Sequence, residues 1–243
     1  MNVRKAWLAA GCAALTFIGA SWARSSASKV VDSGSFGIFR DGKRVATESF
    51  KIEQQPEGSI ASFQLKMDDG SKLPAQTAEM ELTGSGELKR YEWHQLSPDK
   101  AEATVTPNDP FLMERMVAAS DAKPVQQPFL VPPTTVILDN NFFAQRELLA
   151  WRYLAGGCKQ AAGEMQCKLP LAKFGVLVPQ ALTTATVTME SAGWETVPIR
   201  GVQRKLIRLN LKTESGDWGL WLDSSYKLIR IVIAGENTEV LRD

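Results

Sequence analysis

The chain has one histidine, three cysteines and almost no net charge, with 28 lysines and arginines set against 27 aspartates and glutamates in 243 residues. Each shortage closes a route. A single histidine, His94, excludes multi-histidine metal centres and any H-E-x-x-H helix. It also leaves one candidate base for a Ser-His-Asp or Cys-His arrangement. His94 lies in Tyr91-Glu92-Trp93-His94-Gln95, where a strand would turn it away from Trp93, so a surface or half-buried strand histidine is expected. The sequence contains no G-x-S-x-G elbow, no G-x-G-x-x-G loop and no P-loop. Balanced charge gives no broad basic field for nucleic acid or anionic lipid. Beyond the first residues there is no apolar run of the ~20 residues needed to span a membrane.

The first residues are of another kind. Arg4 and Lys5 precede an apolar stretch from Ala6 to Ala20, and small residues follow at Ser21 and Ala23, then at Ser25 and Ala27. A positive region, an apolar region and a small-x-small site are the order of a cleavable secretory signal. Cleavage is expected after Ala23, with Ala27 as the alternative. The apolar stretch is short for a retained anchor. Ala9-Ala10-Gly11-Cys12 is only a weak lipobox, because the long apolar run follows the cysteine rather than preceding it. Residues 1–23 are thus read as a signal peptide and residues 24–243 as one domain, exported to the periplasm, soluble and without a membrane span.

Export places Cys158 and Cys167 in an oxidising compartment. Eight residues separate them, with Gly163 near the middle, a spacing that suits a disulfide across the neck of a hairpin or loop. A redox or metal pair would have closer spacing or further ligands.

From residue 34 onward the dominant signal has period two. Ala61, Phe63, Leu65 and Met67 alternate with polar residues, and Ile207, Leu209 and Leu211, then Ile229, Ile231 and Ile233, repeat the pattern. Such alternation describes antiparallel strands with one face buried. Turn-forming residues separate the runs at Asp41-Gly42, Asp69-Gly70, Gly84-Ser85-Gly86, Ser97-Pro98-Asp99 and Gly235-Glu236-Asn237. About a dozen strands in a meander are predicted. One segment departs from this pattern. Leu138 to Leu154 carries Phe142, Phe143, Leu149 and Tyr153 near one helical face, with Leu148, Trp151 and Leu154 widening it. Asp139 or Asn140 would cap this helix and Gly156 would end it in a left-handed turn. Lys123 to Pro133 reads as an extended linker. The fold class predicted is mostly β (α+β), a curved antiparallel sheet or half-barrel around one central helix.

Chemistry-bearing constellations are few. Asp68-Asp69-Gly70 and Asn108-Asp109 have calcium-ligand residue types but no ladder of oxygen ligands, and turns explain them. No metal, cofactor or catalytic residue is assigned, and a non-catalytic protein is predicted. Asp139-Asn140-Asn141 is read either as a helix cap or as a polar group at the mouth of a cavity. A concave sheet with one helix is prone to incomplete filling, and soft or aromatic side chains suit a cavity for lipophilic ligands. The candidate lining residues are Phe63, Leu65, Met67, Met80, Trp93, Met113, Phe142, Phe143 and Trp151. The same residues would serve equally in an ordinary core.

Three stretches bear a resemblance. Gly34 to Phe50, with Asp41-Gly42-Lys43 at its turn, resembles the opening hairpin of the DUF3108-like family of secreted bacterial proteins. Val136 to Phe143 resembles the entry to their helix. Trp218-Gly219-Leu220-Trp221-Leu222-Asp223 with Lys227 to Ile231 is similar to their closing hairpin. That family is related in shape to the LolA-type periplasmic lipoprotein carriers. The resemblance implies a half-barrel in a Gram-negative envelope and brings no catalytic residue. The partner expected is a lipid or lipoprotein acyl chain. The alternatives are an envelope protein bound by a structural or interaction module, and a hydrolase with a carboxylate-based site.

Overall fold

The computed structural model describes residues 28–68, 70, 75–132, 134–161, 164–167, 171–214 and 216–243. The segment read as a signal peptide, with Cys12, lies outside the described residues, as does Asp69.

The alternating runs form strands. The first half gives β1 (Lys29–Arg40), β2 (Lys43–Gln55), β3 (Gly58–Met67), β4 (Gln76–Thr83), β5 (Leu88–Gln95), β6 (Ala101–Asn108), β7 (Phe111–Val117) and β8 (Val125–Phe129). A short β9 (Val136–Ile137) leads to the helix α1 (Gln145–Gly157) and to a hairpin of β10 (Cys158–Ala161) and β11 (Glu164–Cys167). The second half gives β12 (Leu171–Val178), β13 (Thr183–Ile199), β14 (Val202–Thr213), β15 (Gly216–Leu222), β16 (Leu228–Ile233) and β17 (Thr238–Arg242). Fifteen of these strands make one sheet in the order β8-β7-β6-β5-β4-β3-β2-β1-β17-β16-β15-β14-β13-β12-β9. All described pairs in it are antiparallel except β9 with β12.

This order is two meanders joined through their far ends. The seam is β1 against β17, with Phe36 opposite Arg242 and Arg40 opposite Thr238. The sheet is open and curved, and chain length shows why it must curve. Fifteen strands laid flat would be about 70 Å wide. Yet the opposite edges, β8 and β9, are separated by only residues 130–135, which can span at most ~25 Å. The sheet therefore curls until its edges approach, and α1 enters the trough directly after β9.

Both halves of the sheet bury apolar rows. On β2 the inner face presents Ala46, Phe50 and Ile52, and on β14 Ile207, Leu209 and Leu211; these meet Leu149, Ala150 and Tyr153 of α1 in one core. Bulges alter the parity that the sequence suggests. The register shift opposite Trp221 and Leu222 skips Ile229, which joins Val197, Ile199, Leu206 and Trp221 in a separate outer cluster. Ile231 and Ile233 stay in the main core. In the outer cluster the Trp221 ring lies between the Arg208 and Arg230 guanidinium groups, at 5.3 and 5.1 Å.

The helix differs from its predicted bounds at both ends. It starts at Gln145 with Ala144 before it and no side chain of the Asp139–Asn141 segment capping it. It runs through Gly156 and Gly157 and passes straight into an extended Cys158, without a left-handed stop. The β10–β11 hairpin takes up the chain instead, and Cys158, which is disulfide-bonded, stands opposite Cys167 in its register. The proline-containing segment read as a linker supplies the edge strand β8, where Pro128 can sit without a ladder partner on its outer side.

Most turns fall where expected. Asp41 and Gly42 both take positive φ in the two-residue link from β1 to β2, and Arg200-Gly201 makes an equivalent link from β13 to β14. Gly58 is under a stricter demand. Its φ is +156°, and a Cβ there would lie 1.9 Å from the Leu82 carbonyl oxygen. Gly58→Ala is expected to cost ~2–3 kcal/mol. Gly84→Ala, where the added carbon meets nothing within 4 Å, should be close to neutral. Urea midpoints of the two variants check the contrast.

Candidate functional site: a cavity under the helix

One transverse row of the inner face organises the site. The registers align Asp32, Ile52, Ala61, Met80, Tyr91, Val105 and Glu114 across β1 to β7. Both ends of the row carry acids and its middle is apolar. Over the middle, the 13-residue helix and the sheet leave a space between them. A cavity of about 600 Å³ remains. Ile52, Met80 and Leu82 wall it from the sheet, and Leu148, Leu149 and Trp151 from the helix. Gly84, Ser85, Gly86 and Gly156 are small residues at its rim, and among the described residues Arg152 is the only charged one lining it. A second recess of about 360 Å³ shares Val31, Trp151 and Ala155 with the first. Trp151 lines both spaces, and its Nε1 donates to the Tyr226 carbonyl at 2.7 Å.

Buried charge flanks the cavity on both sides. At the start of the helix, Glu48 accepts from the Phe143 amide at 2.7 Å and from the Ala144 amide at 3.1 Å. It thereby does for the helix what a capping side chain would do. Arg146 turns back to donate to the Asp139 and Phe142 carbonyls and lies 4.9 Å from the Trp218 ring. Tyr91 donates its hydroxyl to Asp139 at 2.7 Å. Burial pushes Glu48 up to about 8 against the pull of these amides and of Arg146. Burial also raises Asp139, opposed first by the Tyr91 hydroxyl. Glu114, fully buried on β7, has no hydrogen-bond partner for either oxygen among the described residues; burial, with Asp139 adding to it, pushes it up to about 8.

On the other side, Arg242 donates to both oxygens of Asp32 at 2.7 Å, and Lys227 donates to one of them at 2.7 Å. Burial acts to raise Asp32, but Lys227 and Arg242 outweigh it and leave the carboxyl lowered. Glu147 on the helix accepts from the Leu228 amide at 2.9 Å. Burial, reinforced by the Asp32 charge, pushes Glu147 up to about 9.

These carboxyls are convergent and perturbed, but none of them lines the cavity. Glu48 and Glu147 tie the helix to the sheet, through the Phe143 and Ala144 amides and the Leu228 amide. Among the described residues no group of three or more histidine, cysteine, aspartate or glutamate side chains is arranged to hold a metal ion.

The structure distributes the predicted lining residues unevenly. Met80 and Trp151 are in the cavity wall. Phe63, Leu65, Trp93, Phe142 and Phe143 are packed in the core beside it, with the Phe63 and Phe142 rings 5.6 Å apart. Met67 is 43% exposed at the end of β3. Met113 points to the outer face, since Leu112, Glu114 and Met116 take the inner one. Asp139 is fully buried and serves Tyr91 and the Asn141 amide, so it is at neither the mouth of the cavity nor the helix cap. His94 is half-buried, 4.0 Å from Glu102. Sequence reading passed over Glu48 and Glu114. Their signal was an acid at an apolar parity, in Ala46-x-Glu48-x-Phe50 and Leu112-x-Glu114-x-Met116. No family model matches the chain, and comparison with curated proteins and with solved structures likewise gave no match.

Proposed function

We propose that the protein is a non-catalytic binding protein of the cell envelope, exported to the periplasm, that holds a lipophilic or amphiphilic ligand between its curved sheet and its helix. The observation that carries this reading is the cavity of about 600 Å³, walled mainly by Ile52, Met80, Leu82, Leu148, Leu149 and Trp151. Its size is within the range of small-molecule sites, which are mostly apolar with a few placed polar groups. Export is supported by the order of residues 1–27 and is in keeping with the disulfide at Cys158.

Native mass spectrometry of protein prepared from a periplasmic extract without detergent tests it. The expected result is added mass that extracts into organic solvent. A clean protein mass, together with no uptake of a fluorescent fatty-acyl probe, would overturn the reading. Leu148 is half-buried in the cavity wall, so Leu148→Arg should leave the fold intact and weaken probe binding about tenfold or more, because a charge would have to be desolvated against the chain.

A further inference from the structure

Arg152 lines the cavity from α1, on the same helical face as Leu148 and Gly156 one turn to either side. The positions from which a helix would offer it an acid hold Leu148, Leu149, Ala155 and Gly156. Among the described arginines that are buried or half-buried, Arg44, Arg115, Arg146, Arg208, Arg230 and Arg242 are each held by a carboxylate or a carbonyl. Arg152, also half-buried, has no such partner among the described residues, and none of its nitrogens is buried. No described aspartate or glutamate lines either the cavity or the recess beside it. Lys227, the cation of that recess, is held by Asp32 at 2.7 Å. The cavity is therefore an apolar space with one uncommitted positive charge in its wall.

Resting on the binding function proposed above, we infer that Arg152 holds the anionic head of a single-chain amphiphile, a carboxylate or a phosphate, at the mouth of the cavity, with the chain running inward past Leu148. The lining changes character along this path. Gly84, Ser85, Ala155 and Gly156 are exposed, whereas Ile52, Met80, Ile137 and Leu149 are buried. From Gly156 back to Gln145 the helix wall is roughly 16 Å long, room for an extended chain. An arginine suits the boundary, since its stem lies along apolar surface while its head stays in water. The guanidinium fork matches two oxygens of a carboxylate or phosphate at once. A head held at the mouth also keeps part of its hydration, so it escapes the cost of full burial. An ammonium head would meet a like charge with no acid to offset it.

Four probes of one chain length separate this anchor from simple apolar capture: dodecanoate, dodecyl phosphate, methyl dodecanoate and dodecyltrimethylammonium, each titrated calorimetrically into the delipidated protein. At least one of the two anions should bind about tenfold tighter than the ester, the worth of one hydrogen bond to a charged group. The tighter of the two names the source, a free fatty acid or a phosphate-headed lipid. Arg152→Gln should bring the anion-to-ester ratio close to one while leaving ester binding in place, and Arg152→Lys should keep part of the preference. Arg204→Gln removes the same charge from an exposed position on β14 that does not line the cavity, and should leave the ratio unchanged. Because the ratio is taken within one protein, loss of folded material does not mimic the effect. An ester bound as tightly as both anions, a ratio that survives Arg152→Gln, or one that falls equally in Arg204→Gln overturns the anchor and leaves the apolar cavity standing. Tightest binding of the ammonium overturns it as well. Failure of all four probes to bind overturns the binding function itself.

Discussion

Arg146→Ala is expected to remove ~3 kcal/mol or more of stability, because it leaves two buried carbonyls without their donor at ~1–3 kcal/mol each, and to appear as a large fall in the urea midpoint. The loss has three parts. The Asp139 and Phe142 carbonyls, which precede the helix and take their hydrogen bonds from Arg146, become unmatched. Asp139 and Glu48, both buried, lose the guanidinium whose charge opposes their burial. The rings of Phe143 and Trp218, at 5.8 and 4.9 Å, lose a cation lying against both of them. Burial pulls Arg146 down to about 10, against the pull of Asp139 and Glu48, so it is charged at neutral pH. Arg146→Lys should recover part of the loss, because a lysine keeps the charge but lacks the fork that reaches two carbonyls. A loss no greater than ~1 kcal/mol in the alanine variant would show that the buried network adds nothing to holding the helix.

Stability should be highest in mild acid and fall steadily as the solution becomes alkaline. Glu48 and Glu114 are pushed up to about 8 and Glu147 to about 9, against ~4.3 for glutamate in an unfolded chain. For each, the folded state holds a proton that the unfolded state has released. Their contribution is complete below about pH 4.3 and is lost as pH rises through 8 to 9. Within that window each group lowers stability by about 1.4 kcal/mol per pH unit. Asp32 and Asp243 have the opposite sign. Burial acts to raise each, but Lys227 and Arg242 at Asp32, and Arg44 and Ser35 at Asp243, leave the carboxyls lowered. Their contribution is therefore present above about pH 3.9 and fails below it. Urea titrations from about pH 5 to pH 9 measure the slope. Glu114→Met is the sharpest test, since both Glu114 oxygens lack partners. It should reduce the slope by one group and make the protein more stable at about pH 8, as replacing an unmatched buried acid with an apolar side chain does. An unchanged slope in that variant would mean that Glu114 ionises as an ordinary surface acid does.

The sheet was legible because period two is a direct image of a half-buried strand, as in Ala61-Phe63-Leu65 and Ile207-Leu209-Leu211. The single helix was legible in its apolar face, but its start was not. The group that holds the Phe143 and Ala144 amides is Glu48, 95 and 96 residues away in sequence, and no local pattern reports such a partner. Bulges hid the destination of Ile229 for the same reason, because a register shift belongs to a pair of strands. Of the cavity, Met80 and Trp151 were legible as soft and aromatic residues. The residues that leave the space open are small ones, Gly84, Gly86 and Gly156, and these read in sequence as turn-formers and helix stops.

The seam between β1 and β17 carries a consequence for how the chain is made. The first meander can pair strand by strand as it emerges, yet β1 waits for a neighbour that comes some two hundred residues later. Until then its edge is bare, and an uncovered strand edge invites pairing with other chains. Asp32 waits as well, because Lys227 and Arg242 arrive with the last strands. The final strand thus acts as a clasp. A product truncated before β17 would keep a sticky edge and an Asp32 that has lost Arg242 and retains only Lys227, and would be open to holding chaperones and proteases, whereas the finished molecule closes edge and acid together.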